Sequence, residues 1–184
     1  MKSSVQDAVT ALQRGEVIAY PTEAVFGLGC DPDNPDAINR VLEIKQRPPD
    51  KGLIIVAAEV AQLKPYIADL DASIMQRAVA TWPGPVTWLI PVAKNIQPLL
   101  RGNHTTIAVR VSAHPVVREL CNVYGKPVVS TSANLSGQPP TRSVEEVMQQ
   151  LGEHLSVVVA GEVDMNANVS EIRDLLTNNV IRGH

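Results

Sequence analysis

Several short runs of this chain are apolar at consecutive positions, where a half-exposed strand would alternate. "EVIAY" (16–20), "LIIVAA" (53–58) and "SVVVAG" (156–161) place apolar side chains on both faces of an extended backbone. Strands of that kind must be covered on both sides, and the cover is legible between them. Val5, Ala8, Val9 and Leu12 follow helical spacing, with Gly15 as a stop. Asn34-Pro35 supplies an N-cap and a first-turn proline ahead of Ile38, Val41 and Leu42. Helices are also expected around 71–81, with Ile74, Ala78 and Val79 inward, and around 115–123. Ser143-x-x-Glu146 is a capping-box pattern opening another, with Val144, Val147 and Leu151 inward. "VTWLIPV" (86–92), "TIAVRV" (106–111), "KPVVS" (126–130), a piece near 169–173 and "NVIRG" read as further extended segments. Helices and strands alternate for much of the length, and later strands follow with few helices between them. The expectation is an α/β fold: one layered domain over residues 1–184, its twisted mixed sheet flanked by helices.

Aromatic residues make up 3% of the chain against 45% apolar residues, so the core has to be built from Val, Ile, Leu and Ala. The 184 residues suit one domain with a continuous core. With 16 basic and 19 acidic residues the net charge is −3. That is a poor balance for indiscriminate nucleic-acid binding, which lives on phosphate neutralisation; any cationic site must be local. Cys30 and Cys121, without a CxxC, fit a reducing compartment and neither a disulfide framework nor a structural zinc site. Asp7, Arg14 and Glu16 stand where a signal peptide needs an apolar stretch, and "LIIVAA" is too short to cross a bilayer. Without such a signal, the N-x-S/T triplets at Asn103, Asn134 and Asn168 are not read as glycosylation sites. The expectation is a cytoplasmic protein with no membrane partner.

Familiar sites fail on inspection. Gly27-x-Gly29 follows a strand, but Pro32 occupies a position that a dinucleotide fingerprint needs small. Gly125-Lys126-Pro127 lacks the upstream glycine and the following hydroxyl of a P-loop, and no G-x-S-x-G elbow occurs. His104, His114, His154 and His184 lie far apart with no HExxH and are read as surface or packing residues; no metal site built from protein ligands is expected.

Two other stretches carry chemistry. "KQRPPDKGL" (45–53) sets Lys45, Arg47 and Lys51 around a stiff Pro-Pro corner. Pro48 disfavours helical geometry at Arg47, so the helix should end near Lys45 and an extended stretch should let Lys45 and Arg47 converge. Lys45 alone would suit a helix C-terminus; three cations around one corner favour an anion site. In "VVSTSANLSG" (128–137) an apolar strand runs into Ser130, Thr131, Ser132, Asn134 and Ser136. Such residues are ordinary turn formers, yet they stand at the carboxyl end of a buried strand, where α/β sheets bind ligands, and can hold phosphate or carboxylate oxygens. Thr22, Arg110 and Ser170 sit on or beside other apolar strands, and Arg110, flanked by Ala108, Val109 and Val111, is expected to be partly buried with an anionic or carbonyl partner. Cations and hydroxyls without a nucleophile–base pair fit phosphoryl or nucleotidyl transfer by positioning and charge neutralisation. The residues alone point to a small-molecule anion site for a nucleotide and a carboxylate.

Lys45-Gln46-Arg47 and Ser132-Ala133-Asn134, with "YPTEAVFGLGCDP", "WPGPVT", "AVRV", "STSANLSG" and "SEIRD" in order, resemble the threonylcarbamoyl-AMP synthase family, the YrdC-like proteins. The resemblance runs from about residue 14 to the end. It implies a twisted α/β sheet with a positively lined concave cavity, and an enzyme that joins L-threonine, bicarbonate or CO2, and ATP. Pyrophosphate is released, and the threonylcarbamoyl-adenylate feeds transferase proteins that modify the tRNA adenosine beside the anticodon. Carried over by motif, Lys45, Arg47 and Lys51 would face the ATP phosphates with Ser132 and Asn134 alongside; Thr106, Thr131 and Arg182 would add nucleotide contacts. Thr22, Arg110 and Ser170 would hold threonine, and Mg2+ would come with ATP. Two departures stand out: Ser112, where many relatives have proline, and Glu171-Ile172-Arg173, where longer relatives are more neutral. The rival readings are an RNA-binding module without turnover and carbamoyl transfer from carbamoyl phosphate; weak RNA binding beside the enzyme activity is left open.

Overall fold

The computed structural model describes residues 3–183, so Met1, Lys2 and His184 lie outside the described residues. Helix α1 (Val5–Gln13) precedes β1 (Ile18–Pro21) and β2 (Phe26–Gly29), and α2 (Pro35–Lys45) leads through a 3-10 turn at Pro49–Lys51 to β3 (Ile54–Ala57). The short α3 (Val60–Leu63) and α4 (Ala72–Val79) come before β4 (Val86–Pro91), and the short α5 (Pro98–Arg101) before β5 (Thr106–Val111). Then follow α6 (Pro115–Tyr124), β6 (Val128–Ser132), α7 (Val144–Leu151), β7 (Val157–Val158), β8 (Glu171–Asp174) and β9 (Val180–Arg182). The nine strands among the described residues form one sheet in the order β7-β1-β2-β6-β3-β5-β4-β8-β9. It is mixed, as expected: β1/β7, β3/β5 and β4/β8 are parallel and the other pairs antiparallel.

The caps explain where the helices begin. Asn34 Oδ1 accepts the N–H groups of Asp36 and Ala37, and Pro35 needs no partner for an N–H it lacks. Ser4 and Asp7 form a reciprocal box. At α7 only half of the expected box is made: Ser143 Oγ accepts from the Glu146 N–H, while the Glu146 carboxylate takes the N–H of Arg142 instead of Ser143.

Strand alternation sends neighbours into two cores. Val56 and Val128 pack with Val9, Leu12, Tyr20 and Leu120 under α1 and α6, whereas Ile55 and Val129 pack with Ile38, Val41, Trp88, Val147 and Leu151 under α2 and α7. Each such side chain stabilises by about 1.5–3 kcal/mol relative to exposure, which is why the both-faces-apolar runs settle in mid-sheet. One inward expectation is corrected: Ala78 is fully buried, but Val79, one step further round the helix at its last residue, is 47% exposed.

The Gly27-x-Gly29 pair belongs to a strand rather than a loop, because Tyr20 of β1 lies against it. Tyr20 Oη donates to the Val129 carbonyl at 2.9 Å, and a Cβ at Gly29 would run into that carbonyl and the Tyr20 ring. Gly29→Ala is therefore expected to destabilise the fold by about 2 kcal/mol, read as a lowered urea midpoint with unchanged slope.

Candidate functional site

The cation turn is built differently from the extended stretch that its prolines suggest. Helix α2 closes on Gln46, which adopts a left-handed φ of 46°. Pro48 is extended (φ −59°, ψ 135°) and Gly52 has φ 62°. Lys45 consequently turns inward while Arg47 folds back over the corner, its Nε and Nη2 donating to the Gly52 carbonyl at 3.1 and 2.9 Å.

Lys45 ends against the hydroxyl loop. Its Nζ donates to Ser132 O (2.8 Å), Asn134 O (2.7 Å) and Asn134 Oδ1 (2.8 Å). An ammonium has three protons, so all are taken, and the Asn134 amide is used as well, donating to Leu135 O and Gln138 O. Burial, with the Arg47 charge second, pushes Lys45 down to about 8; the three oxygens bind its protonated form.

In front of this contact a cavity of about 520 Å³ crosses the sheet from β2 and β6 to β8 and β9, within the roughly 300–1,000 Å³ of small-molecule sites. Of the expected site residues, Thr22, Arg47, Lys51, Thr106, Arg110, Thr131, Ser132, Ser170 and Arg182 are on its wall. Lys45 and Asn134 are not; both are buried and joined to each other behind Ser132. Thr22 Oγ1 already donates to Val25 O at 2.6 Å, and Ser170 is held by Thr87 Oγ1 at 3.0 Å and by Arg182 Nη2 on its carbonyl at 2.8 Å.

Ser130, read as part of the hydroxyl loop, is also on the wall, whereas sequence reasoning missed Glu23, Arg101, His104 and Asn168 there. Arg110 was expected to have an anionic or carbonyl partner, and that partner is Glu23, which nothing near Arg110 in the sequence names. Arg110 is 7% exposed, and its Nη1 lies 3.0 Å from Glu23 Oε2. The other oxygen of Glu23 accepts Ser112 Oγ (2.8 Å) and the Ala113 N–H (3.0 Å). Burial works to raise the Glu23 carboxyl, but the Arg110 charge, the Ser112 hydroxyl and backbone N–H groups hold it below the usual carboxylate value. Ser112, one of the two departures, thus takes part in this pair. In the other departure Glu171 and Arg173 pair with each other at 2.6 Å off the cavity wall, while Ile172 lies on that wall beside Ser170. Among the described residues no group of three or more His, Cys, Asp and Glu could hold a metal ion, and no helix is long and apolar enough to cross a membrane.

The chain as a whole is similar to known proteins. Residues 10–183 match the Sua5, YciO and YrdC family model, described as telomere recombination. A threonylcarbamoyl-AMP synthase of Photobacterium profundum is 57% identical over 181 residues, spanning 97% of this chain and 98% of the relative; that of Serratia proteamaculans is 56% identical over 176 residues, 95% and 93% of the two chains. Among solved structures, P. abyssi Sua5 complexed with L-threonine superposes with a TM-score of 0.87 at 30% identity, over 94% of this chain and 51% of that one. The chain thus spans about half the length of that Sua5. E. coli YciO gives 0.85 at 25% identity, over 97% of this chain and 87% of that one. With its Lys-x-Arg turn joined to its Ser-x-Asn loop, the chain belongs to the Sua5, YciO and YrdC family.

Proposed function

We propose that this chain makes threonylcarbamoyl-adenylate from L-threonine, bicarbonate or CO2, and ATP, releasing pyrophosphate. The observation that carries this reading is the Lys45 contact, which ties the cation turn to the hydroxyl loop beside a cavity that also receives Arg110. The triphosphate lies along Arg47, Lys51, Thr131 and Ser132, with Thr106 and Arg182 at the nucleotide, and Mg2+ enters on it as part of the substrate. Lys45 supplies charge from behind the loop, its protons being committed to loop oxygens. Threonine lies at Thr22, Arg110 and Ser170, which share the cavity wall; that the similar P. abyssi Sua5 was solved with L-threonine supports threonine as a ligand of this fold. Five basic side chains on the wall, Arg47, Lys51, Arg101, Arg110 and Arg182, against Glu23 support a positively lined cavity; burial, with the Arg110 charge second, lowers Arg182.

The reaction needs no protein nucleophile. The free amine of threonine adds to CO2 and loses a proton to give the carbamate; a carbamate oxygen attacks the α-phosphorus, and the bond to pyrophosphate breaks. Positioning and charge neutralisation are the catalytic devices. In this reading residues 1–184 are one YrdC-like domain of the cytoplasm, its product passes to tRNA-modifying transferases, and weak contact with tRNA belongs to that handover. The deciding assay is pyrophosphate release from ATP that requires both threonine and bicarbonate. Release without threonine, turnover of carbamoyl phosphate, or salt-steep RNA binding without turnover would each overturn the reading.

The pH profile tests Lys45 separately. As pH rises through about 8 its ammonium loses a proton and the charge behind the loop disappears. kcat/KM for ATP should then fall about tenfold per pH unit, with the break displaced upward in Lys45→Arg. Unfolding does not cause the fall: a lysine at about 8 in the fold against 10.5 in the open chain makes the fold more stable as pH rises between those values.

A further inference from the structure

The Glu23–Arg110 pair is held by charge without an aligned hydrogen bond. Although Arg110 Nη1 is 3.0 Å from Glu23 Oε2, that oxygen and Arg110 Nε are both buried with no hydrogen-bond partner. Arg110 lines the cavity wall, and a guanidinium presents donors in a fixed fork that suits a carboxylate. What fixes the fork is Glu23, and Glu23 is fixed in turn by Ser112 Oγ and the Ala113 N–H, which grip its other oxygen. Ser112 is itself fully buried and its hydroxyl accepts the His114 N–H at 3.1 Å, which locks it to the start of α6.

We propose that Glu23 is a positioning residue for the amino-acid half of the site: it aims Arg110 at the substrate carboxylate, and Ser112 aims Glu23. The inference rests on the proposed reaction and adds two residues to it. A role as the base that deprotonates the threonine ammonium fits worse, because a carboxyl held below its usual value accepts protons poorly. Arg110 also needs Glu23 for another reason: a buried guanidinium without a counter-charge swings toward any carbonyl that will satisfy it.

The test is calorimetric binding of L-threonine and of L-threoninol, which lacks the carboxylate, to the native protein, Glu23→Gln and Ser112→Ala. The native protein should prefer threonine strongly. Glu23→Gln should lose about 30-fold in threonine affinity, and Ser112→Ala about fivefold, while threoninol binding stays at its native level in both. A folded variant that keeps the native preference overturns the proposal, and so does equal loss of both ligands, the mark of a merely structural role. If Glu23→Gln does not fold, Ser112→Ala decides alone, since it leaves both charges in place. A native protein that binds neither ligand removes the functional reading itself, an outcome separate from any result on the variants.

Discussion

Lys45→Ala should reduce threonine-dependent pyrophosphate release about 1,000-fold, the scale seen when a preorganised electrostatic group is removed. The same variant should also melt earlier. Ser132 O, Asn134 O and Asn134 Oδ1 all lose their donor at once, and buried acceptors left unpaired cost about 1–3 kcal/mol each before the loop relaxes. A net loss of about 3 kcal/mol corresponds to a melting temperature lower by about 6–12 °C in a chain of this size. Arg47→Ala gives the contrast. Its guanidinium bonds only to the Gly52 carbonyl among the described hydrogen bonds, so activity should fall about 100-fold with the melting temperature nearly unchanged. Calorimetry beside the pyrophosphate assay checks both. A Lys45→Ala protein that loses activity at native stability would mean that the ammonium acts on ATP directly rather than through the loop.

Arg110→Met should raise the KM for threonine about 100-fold and leave that for ATP close to native. It should also cost about 3 kcal/mol of stability at neutral pH, because Glu23 is left charged and buried without its counter-charge. That deficit depends on pH with a definite sign. In the native protein Glu23 is held below 4.5, so its ion pair contributes fully above 4.5 and fades as pH falls through the folded value. The gap between native and Arg110→Met should therefore narrow in urea melts as the pH is taken below about 4.5. A gap that stays constant with pH would show that the loss comes from packing of the guanidinium stem and not from its charge.

What could be read in advance was local. Asn34-Pro35, the inward stripe of α2 and the both-faces-apolar β3 depend on neighbours a few residues away, and the structure has them where the pattern put them. The turn at Gln46 was not legible, since a glutamine in the left-handed region carries no sequence signal of its own. β2 was hidden because Gly27 and Gly29 look like a loop until Tyr20 is known to lie against them. Glu23 was hidden by distance along the chain: its partners are Arg110, Ser112 and Ala113. The Lys45 loop contact spans 87 to 89 residues, and only the shared family pattern hinted that the two stretches meet.

Strand β6 lies between β2 and β3, so every ladder linking β7, β1 and β2 to the remaining strands passes through residues 128–132. Until β6 is made, no backbone ladder joins β1 and β2 to β3, β5 and β4, and the edge of β3 at Ile54–Val56 is without its neighbour. The segment that welds them also contributes Ser130, Thr131 and Ser132 to the wall of the cavity. A nascent chain that stops short of Val128 lacks this part of the wall, and the cavity is complete only when the weld is made.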